Sequence, residues 1–283
     1  MPDIACLNGT ISPLAEAQVS VNDRGYLFGD GVYEVIRTYN GRPFQMARHL
    51  DRLDTSLSQV QIDADWDRTT LTRWIDTVIT DSGYTDTKVY VQVTRGVAPR
   101  NHPFPHVAPT TLITATEVHP PAEALITNGV RAIRTDDIRW DRCNIKSLNL
   151  LPNVLARQAA EETGAFEAIF VGADGTVREG SSSNIFAVSD GTVVTPPLSH
   201  RLLAGVSRAY LLEIAAAGGI PTAEKQIAFD ELLTADEVFI TGTTIEVLGV
   251  REIDGKTIGS GRPGPITRQL MAAFGAKGTE ATS

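Results

Sequence analysis

The chain has 283 residues, 42% hydrophobic and 21% charged, with a formal net charge of −9. That length suits two modest domains better than one, since single cores stop growing near ~250–300 residues. The acidic balance argues against a nucleic-acid or anionic-membrane partner, and no apolar run approaches the ~18 residues of a membrane span.

The first forty-six residues read as hairpins, with Asn8-Gly9 and Asn40-Gly41 as two-residue turn signals around a strand over 32–39. Leu50, Leu53, Leu57 and Val60 share one stripe and predict a helix over 47–60. Leu71, Trp74, Ile75, Val78 and Ile79 predict a second over 67–81. Val89, Val91 and Val93 alternate with Tyr90, Gln92 and Thr94, the pattern of a half-buried strand over 88–95. A loop rich in proline and histidine (97–109) leads to a strand over 111–118. His119-Pro120-Pro121-Ala122 reads as a linker, because two prolines cannot continue a ladder. A strand at 130–135, the segment around Lys146, a helix over 152–163 stopped at Gly164 and a strand over 166–171 follow. Asp174-Gly175 and Asp190-Gly191 mark hairpins, the second pairing 184–188 with 192–195. A helix over 206–217 ends at Gly218-Gly219. A short helix at 228–234, a strand at 237–241, a hairpin at Asp254-Gly255, a helix at 264–274 and a small tail at 276–283 complete the order. The expectation is an α+β protein with mainly antiparallel sheets flanked by helices. It divides into a small N-terminal domain (1–118), the linker (119–122) and a larger C-terminal domain (123–283) carrying Lys146. Met1-Pro2-Asp3 opens without a basic region or apolar run, and Cys6 and Cys143 stand far apart outside any ligand pattern. A secretory signal, a disulfide framework and a metal site are therefore not expected, which suits the cytoplasm.

Lys146 is the most informative of the five lysines. It sits among Cys143, Ile145, Leu148, Leu150 and Leu151, where burying an ammonium is costly and desolvation favours the neutral, nucleophilic amine. The alternative is a lysine that snorkels out of an apolar segment. Glu179-Gly-Ser-Ser-Ser-Asn184 lies 33 residues on. A carboxylate there can keep a pyridine nitrogen protonated, the requirement of pyridoxal phosphate chemistry, or it can sit on an ordinary surface turn. For a phosphate, Gly205-Val206-Ser207 opens a helix with Ser207 as a candidate cap, and Thr241-Gly242-Thr243-Thr244 offers hydroxyls and amides at a strand end. Arg52 either reaches the same phosphate or pairs on the surface with Asp51 or Asp54. Arg100 and His102 form a candidate carboxylate trap. A solvated loop competes with that reading, and Pro103 and Pro105 disfavour a His102–His106 metal pair. Tyr33, approached through Gly29 and Gly31, is a candidate carboxylate partner or a plain strand aromatic. No Gly-x-Ser-x-Gly elbow supports a serine nucleophile, and the glycines lack the pattern of a dinucleotide site.

The stretches 23–35, 91–96, 137–151 and 179–184 resemble the fold-type-IV pyridoxal-phosphate aminotransferases, most of all their D-amino-acid aminotransferases, and the resemblance spans essentially the whole chain. It implies a two-domain fold with pyridoxal 5'-phosphate at the domain interface, held by Lys146 as a Schiff base, and ping-pong transamination between a D-amino acid such as D-alanine and 2-oxoglutarate or pyruvate. Branched-chain L-amino-acid and (R)-amine transaminases are the alternatives on the same fold. The resemblance further implies that Glu179 pairs with the pyridine nitrogen and that Leu203 supports the ring face. Arg139 would lie near the phenolic oxygen, while Arg52, Val206, Ser207 and Thr243 would hold the phosphate. Tyr33, Arg100, His102 and Thr244 would meet the substrate, with the Arg100 loop reaching in from the other subunit of a homodimer. Gly242 departs from a serine familiar at that position, and Val206-Ser207 from the isoleucine-threonine pair often seen there.

Overall fold

The computed structural model describes residues 3–280; Met1, Pro2 and the last three residues of the expected tail lie outside them. Contacts divide the chain into two units. One is built mainly from the chain up to His119 together with Ile145–Asn149, the other from Pro120–Asn144 and Leu150–Gly278.

The first unit contains β1 (Ile4–Leu7), β2 (Thr10–Pro13), α1 (Arg24–Phe28), β3 (Gly31–Tyr39), β4 (Arg42–Pro43), α2 (Met46–Val60), α3 (Arg68–Ser82), β5 (Thr87–Thr94) and β6 (Thr110–Glu117). Among the described residues these strands make one six-stranded antiparallel sheet, ordered β2-β1-β6-β5-β3-β4. Asn8-Gly9 and Asn40-Gly41 close its hairpins with both residues of each pair at positive φ, as the twist of a two-residue turn requires. Leu50, Leu53 and Leu57 of α2 and Leu71, Ile75 and Val78 of α3 join Val32, Ile36, Val89, Val91 and Ile113 of the sheet in one core. Each such side chain contributes about 1.5–3 kcal/mol on burial, so a one-residue slip of β3, which would expose Val32 and Ile36, is strongly disfavoured.

Two expectations are corrected here. The first forty-six residues are not hairpins throughout, because α1 interrupts them. The Asp23 side chain accepts from the Gly25 N–H at its start, and Gly29 ends it at φ 65°. The Lys146 segment, expected in the second domain, groups with the first unit because it pairs with β3. Val32 bridges Ser147 in antiparallel fashion, the Tyr33 N–H donates to Lys146 O at 2.9 Å, and the Leu148 N–H donates to Gly31 O at 3.0 Å.

The second unit contains α4 (Glu123–Asn128), β7 (Val130–Asp136), α5 (Leu151–Glu162), β8 (Glu167–Val171), β9 (Val177–Gly180), β10 (Asn184–Ser189), β11 (Thr192–Thr195), α6 (Val206–Ala217), β12 (Thr222–Glu224), α7 (Phe229–Leu232), β13 (Glu237–Gly242), β14 (Glu246–Ile253), β15 (Lys256–Thr257) and α8 (Pro265–Glu280). Its strands run β12-β11-β10-β13-β14-β7-β8-β9, with β15 on β14. The pairs β11–β12, β14–β7 and β7–β8 are parallel and the others antiparallel. Parallel neighbours need a crossover, which α6 supplies between β11 and β12 and α5 between β7 and β8. Ile169, Ile185, Ile240, Leu248 and Val250 fill the main core of this unit. The helix expected over 264–274 continues to Glu280, where a tail was expected. No helix among the described residues is long and apolar enough to cross a membrane.

Candidate active site

Lys146 is half-buried, with Nζ 4.2 Å from the centre of the Tyr33 ring. Its own N–H donates to Ser56 Oγ at 3.3 Å, and its carbonyl accepts from the Tyr33 N–H of β3 at 2.9 Å. The apolar neighbours read from the sequence are not what hold it. Ile145 is buried, but Leu151 is 68% exposed. Tyr33 also meets Tyr90, their rings 5.6 Å apart. Burial, then the nearby Tyr33 hydroxyl, pushes Tyr90 up to about 12.

Glu34, one residue on, shares the inward face of β3 with Val32 and Ile36 and is fully buried. Arg52 donates to both its oxygens, from Nε at 2.6 Å and Nη2 at 2.9 Å. His49 Nδ1 lies 2.8 Å from Oε2. Burial alone would raise the Glu34 carboxyl; the charge and hydrogen bonds of Arg52, with His49 adding to them, hold it at about 2. Burial lowers His49 below its ordinary 6.5 against the pull of Glu34, and the charges of Arg52 and Lys146 lower it further. Arg52 thus turns inward to Glu34, while the surface aspartates considered for it are met by Arg68, Asp51 at 2.7 Å and Asp54 at 3.7 Å.

Arg100 and His102 are exposed on the 97–109 loop and both lie against Phe28. The Arg100 guanidinium carbon is 5.0 Å from its ring centre, and the His102 ring centre is 5.6 Å away. The structure thus joins Tyr33 to Lys146 and joins Arg100 and His102 to Phe28. No hydrogen bond, ion pair or ring contact links the two pairs among the described residues.

In the second unit Glu179 is the penultimate residue of β9, with its side chain buried, not on a surface turn. Arg139 Nη1 donates to its Oε1 at 2.5 Å, the Leu203 N–H to its Oε2 at 3.0 Å, and Asn184 Nδ2 to the same oxygen at 3.3 Å. Asp137 accepts from Nε and Nη2 of Arg139 at 2.9 and 3.0 Å, and Arg201 O accepts from Nη2 at 3.2 Å. Burial opposes the charge on Arg139, but the Asp137 hydrogen bonds and then the Glu179 charge drive its pKa up. The serine run owes its small hydroxyls to Glu167, a buried carboxylate that accepts from Ser181 N–H (3.0 Å), Ser181 Oγ (2.5 Å) and Ser183 Oγ (2.7 Å). The turn between Glu179 and Asn184 is therefore wrapped around a second carboxylate.

Ser207 is not the cap of α6. Gly205 occupies that position without a side-chain cap bond, which puts Val206 and Ser207 in the first turn, where amides have no partner within the helix. Thr243 and Thr244 form the turn between β13 and β14 and are half-buried. Near the end of β13, Thr241 Oγ1 is buried without a hydrogen-bond partner among the described residues.

Glu34, His49, Asp137, Glu167 and Asn184 were not singled out from the sequence as parts of these clusters. For Glu34 a signal existed: the alternation of β3 puts it inward between Val32 and Ile36, and His49 and Arg52 stand three apart on α2, on one helical face. Glu167 gave no such signal, because β8 is buried at every position and so shows no alternation to mark a face.

The model of the family described as amino-transferase class IV matches residues 31–253. A D-alanine aminotransferase of Bacillus licheniformis is 44% identical over 268 residues, 94% of each chain. The branched-chain amino acid aminotransferase of Escherichia coli has a TM-score of 0.93 at 26% identity, covering 100% of this chain and 97% of that one. The branched-chain aminotransferase of the thermophilic archaeon Thermoproteus uzoniensis, solved with norvaline, has a TM-score of 0.89 at 28% identity, covering 98% and 95%.

Proposed function

The chain belongs to the class IV aminotransferases, and from that premise we propose that it moves an amino group between a D-amino acid, such as D-alanine, and a 2-oxo acid, 2-oxoglutarate or pyruvate, with pyridoxal 5'-phosphate as cofactor. The full-length relative at 44% identity is a D-alanine aminotransferase, which supports the substrate. The observation that carries the chemistry is the fixing of Lys146: its carbonyl is bonded to β3, its N–H to Ser56, and its amine lies against the Tyr33 ring, which supports an amine held in place over a snorkelling one.

The residues fit the cofactor. Glu179 is a buried carboxylate whose oxygens accept from N–H groups of Arg139, Leu203 and Asn184, an acceptor that suits a cationic ring nitrogen. The unpartnered Thr241 hydroxyl and the first-turn amides of Val206 and Ser207 suit an anion. We assign Lys146 to the covalent attachment, Glu179 to the ring nitrogen, and Arg52, Val206, Ser207 and Thr243 to the phosphate. Leu203 takes the ring face and Arg139 the phenolic oxygen; Tyr33, Arg100, His102 and Thr244 take the substrate. When bound, the cofactor supplies an aldehyde carbon for the amino nitrogen and a ring that draws electrons from the substrate α-carbon. The Lys146 amine accepts the proton from that carbon and returns it, as a general base and then a general acid. Arg100, His102 and Tyr33 hold the α-carboxylate and so choose which α-hydrogen faces Lys146. Arg139 and Asn184 keep the Glu179 carboxylate aimed. The working form is a cytoplasmic homodimer in this reading.

Purified protein reconstituted with the cofactor and mixed singly with D-alanine, L-leucine or (R)-1-phenylethylamine should form pyridoxamine phosphate with D-alanine. Reaction with L-leucine alone would instead favour the branched-chain reading, to which the solved structures at 26% and 28% identity point. Lys146→Ala should cost roughly 10²–10⁴-fold or more in turnover and abolish the absorbance of the lysine-bound cofactor. Full turnover by this variant would overturn the assignment.

A further inference from the structure

The proline-rich loop that presents Arg100 and His102 has no regular structure of its own beyond a single bridge of Val97 to Asp23, and Pro103, Pro105 and Pro109 remove backbone donors from it. Its carbonyls must therefore be satisfied by something outside the loop. Arg24, at the start of α1 and only 4% exposed, does this. Its Nη1 donates to Asn101 O and its Nη2 to His102 O at 3.2 Å, while Nε donates to Asp30 Oδ2 at 2.7 Å. One planar guanidinium thus grips two consecutive carbonyls of the loop and is itself oriented by a carboxylate. A lysine, with a single compact ammonium on a flexible stem, cannot reproduce that fork. Phe28, on the same short helix, completes the platform: the Arg24, Arg100 and His102 side chains all lie against its ring.

We propose that Arg24 is a positioning residue for substrate recognition, holding the main chain at 101–102 so that the Arg100 and His102 side chains are presented in one arrangement to the substrate α-carboxylate. This rests on the reading of those two residues as the carboxylate pair given above. The helix that carries the clamp is continuous through Gly29 with β3, which carries Tyr33, so one stretch of chain sets both the loop and the tyrosine. Loss of the clamp removes an interaction made alike with the bound substrate and with the transition state, so it acts on KM rather than on kcat.

The test is Arg24→Lys in the cofactor-loaded enzyme, with two readings. Trypsin cleavage after Arg100, identified by fragment mass, should accelerate by about tenfold or more as the loop opens more often. The KM for D-alanine should rise about tenfold with kcat changed less than about twofold. Unchanged cleavage, or faster cleavage with an unchanged KM, overturns the proposal. So does a joint loss of kcat, bound cofactor and thermal midpoint, which would mark Arg24 as a general structural residue. Should R24K yield no holoenzyme, Arg24→Gln replaces it, since it keeps a planar donor but not the fork and leaves Asp30 to Arg95; the same readings decide. A wild-type enzyme inactive on D-alanine would sink the substrate reading instead, and it would do so before any variant is made.

Discussion

Gly242 leaves the β13–β14 turn without a side chain at a place where one fits. A Cβ there would lie 3.2 Å from Ile245 Cγ1 and 3.6 Å from Ser182 O, so only a flexible side chain must give by a few tenths of an ångström, and the backbone is not in the left-handed region. The preceding Thr241 hydroxyl is buried and unpartnered. If this turn faces the cofactor phosphate, Gly242→Ser adds a donor to a charged acceptor, worth about 1.5–3 kcal/mol. The expected outcome is cofactor affinity at least about tenfold tighter, measured by titrating apoenzyme and following the absorbance. Unchanged or weaker affinity would mean that the turn points elsewhere.

At the scale of elements, α6 illustrates what a helix start can depend on. Gly205, its N-cap, sits at φ −66° and ψ 132°, which any residue adopts, so flexibility is not the reason for glycine. A Cβ would stand 1.9 Å from Asn184 Oδ1. Asn184 in turn donates to Leu203 O at 3.0 Å and to Glu179, which ties the helix entrance to the carboxylate. Gly205→Ala should therefore displace Asn184 and cost about 1–3 kcal/mol through its lost hydrogen bonds, with weaker cofactor retention. In the double variant Asn184→Ala/Gly205→Ala the clash is gone. Its thermal midpoint should lie above the sum of the two single losses, and strict additivity would refute the contact as the cause. The bounds of α6 were legible from its apolar spacing and its closing glycines, but the need for Gly205 was not, because Asn184 lies on a strand 21 residues earlier. The same division holds elsewhere. Asn-Gly and Asp-Gly turns and the apolar stripes of α2 and α3 are local signals and read directly. The parallel pairings β7–β8 and β14–β7, the union of Lys146 with β3, and the Glu167 cluster depend on partners far along the chain and left no periodic trace. Helix α1 escaped notice because five residues are too few to show a stripe.

At the scale of the whole molecule, the buried Glu34–Arg52–His49 cluster predicts how acid acts on the first unit. Below pH 6.5 an unfolded histidine takes up a proton that the folded His49, depressed by burial, refuses. Proton uptake therefore favours the unfolded chain, and stability falls as pH drops below 6.5. Glu34 acts with the same sign at lower pH. It stays ionised in the fold down to about 2, whereas unfolded it protonates near 4.5. Its contribution is complete above 4.5 and is lost as pH falls toward about 2. At about 1.4 kcal/mol per pH unit that interval is worth about 3 kcal/mol, a substantial part of the roughly 5–15 kcal/mol that holds a domain folded. Urea midpoints followed by the fluorescence of Trp66 and Trp74, both in this unit, should decline from pH 7 to pH 5 and again from pH 4.5 to pH 3. His49→Gln should flatten the upper decline and leave the lower one. Glu34→Gln should remove the lower decline at the cost of about 3–5 kcal/mol at neutral pH, because the Arg52 charge then lacks its partner in a buried site. A midpoint that holds level or rises between pH 7 and pH 3 would show that these three residues do not carry the charges their geometry demands.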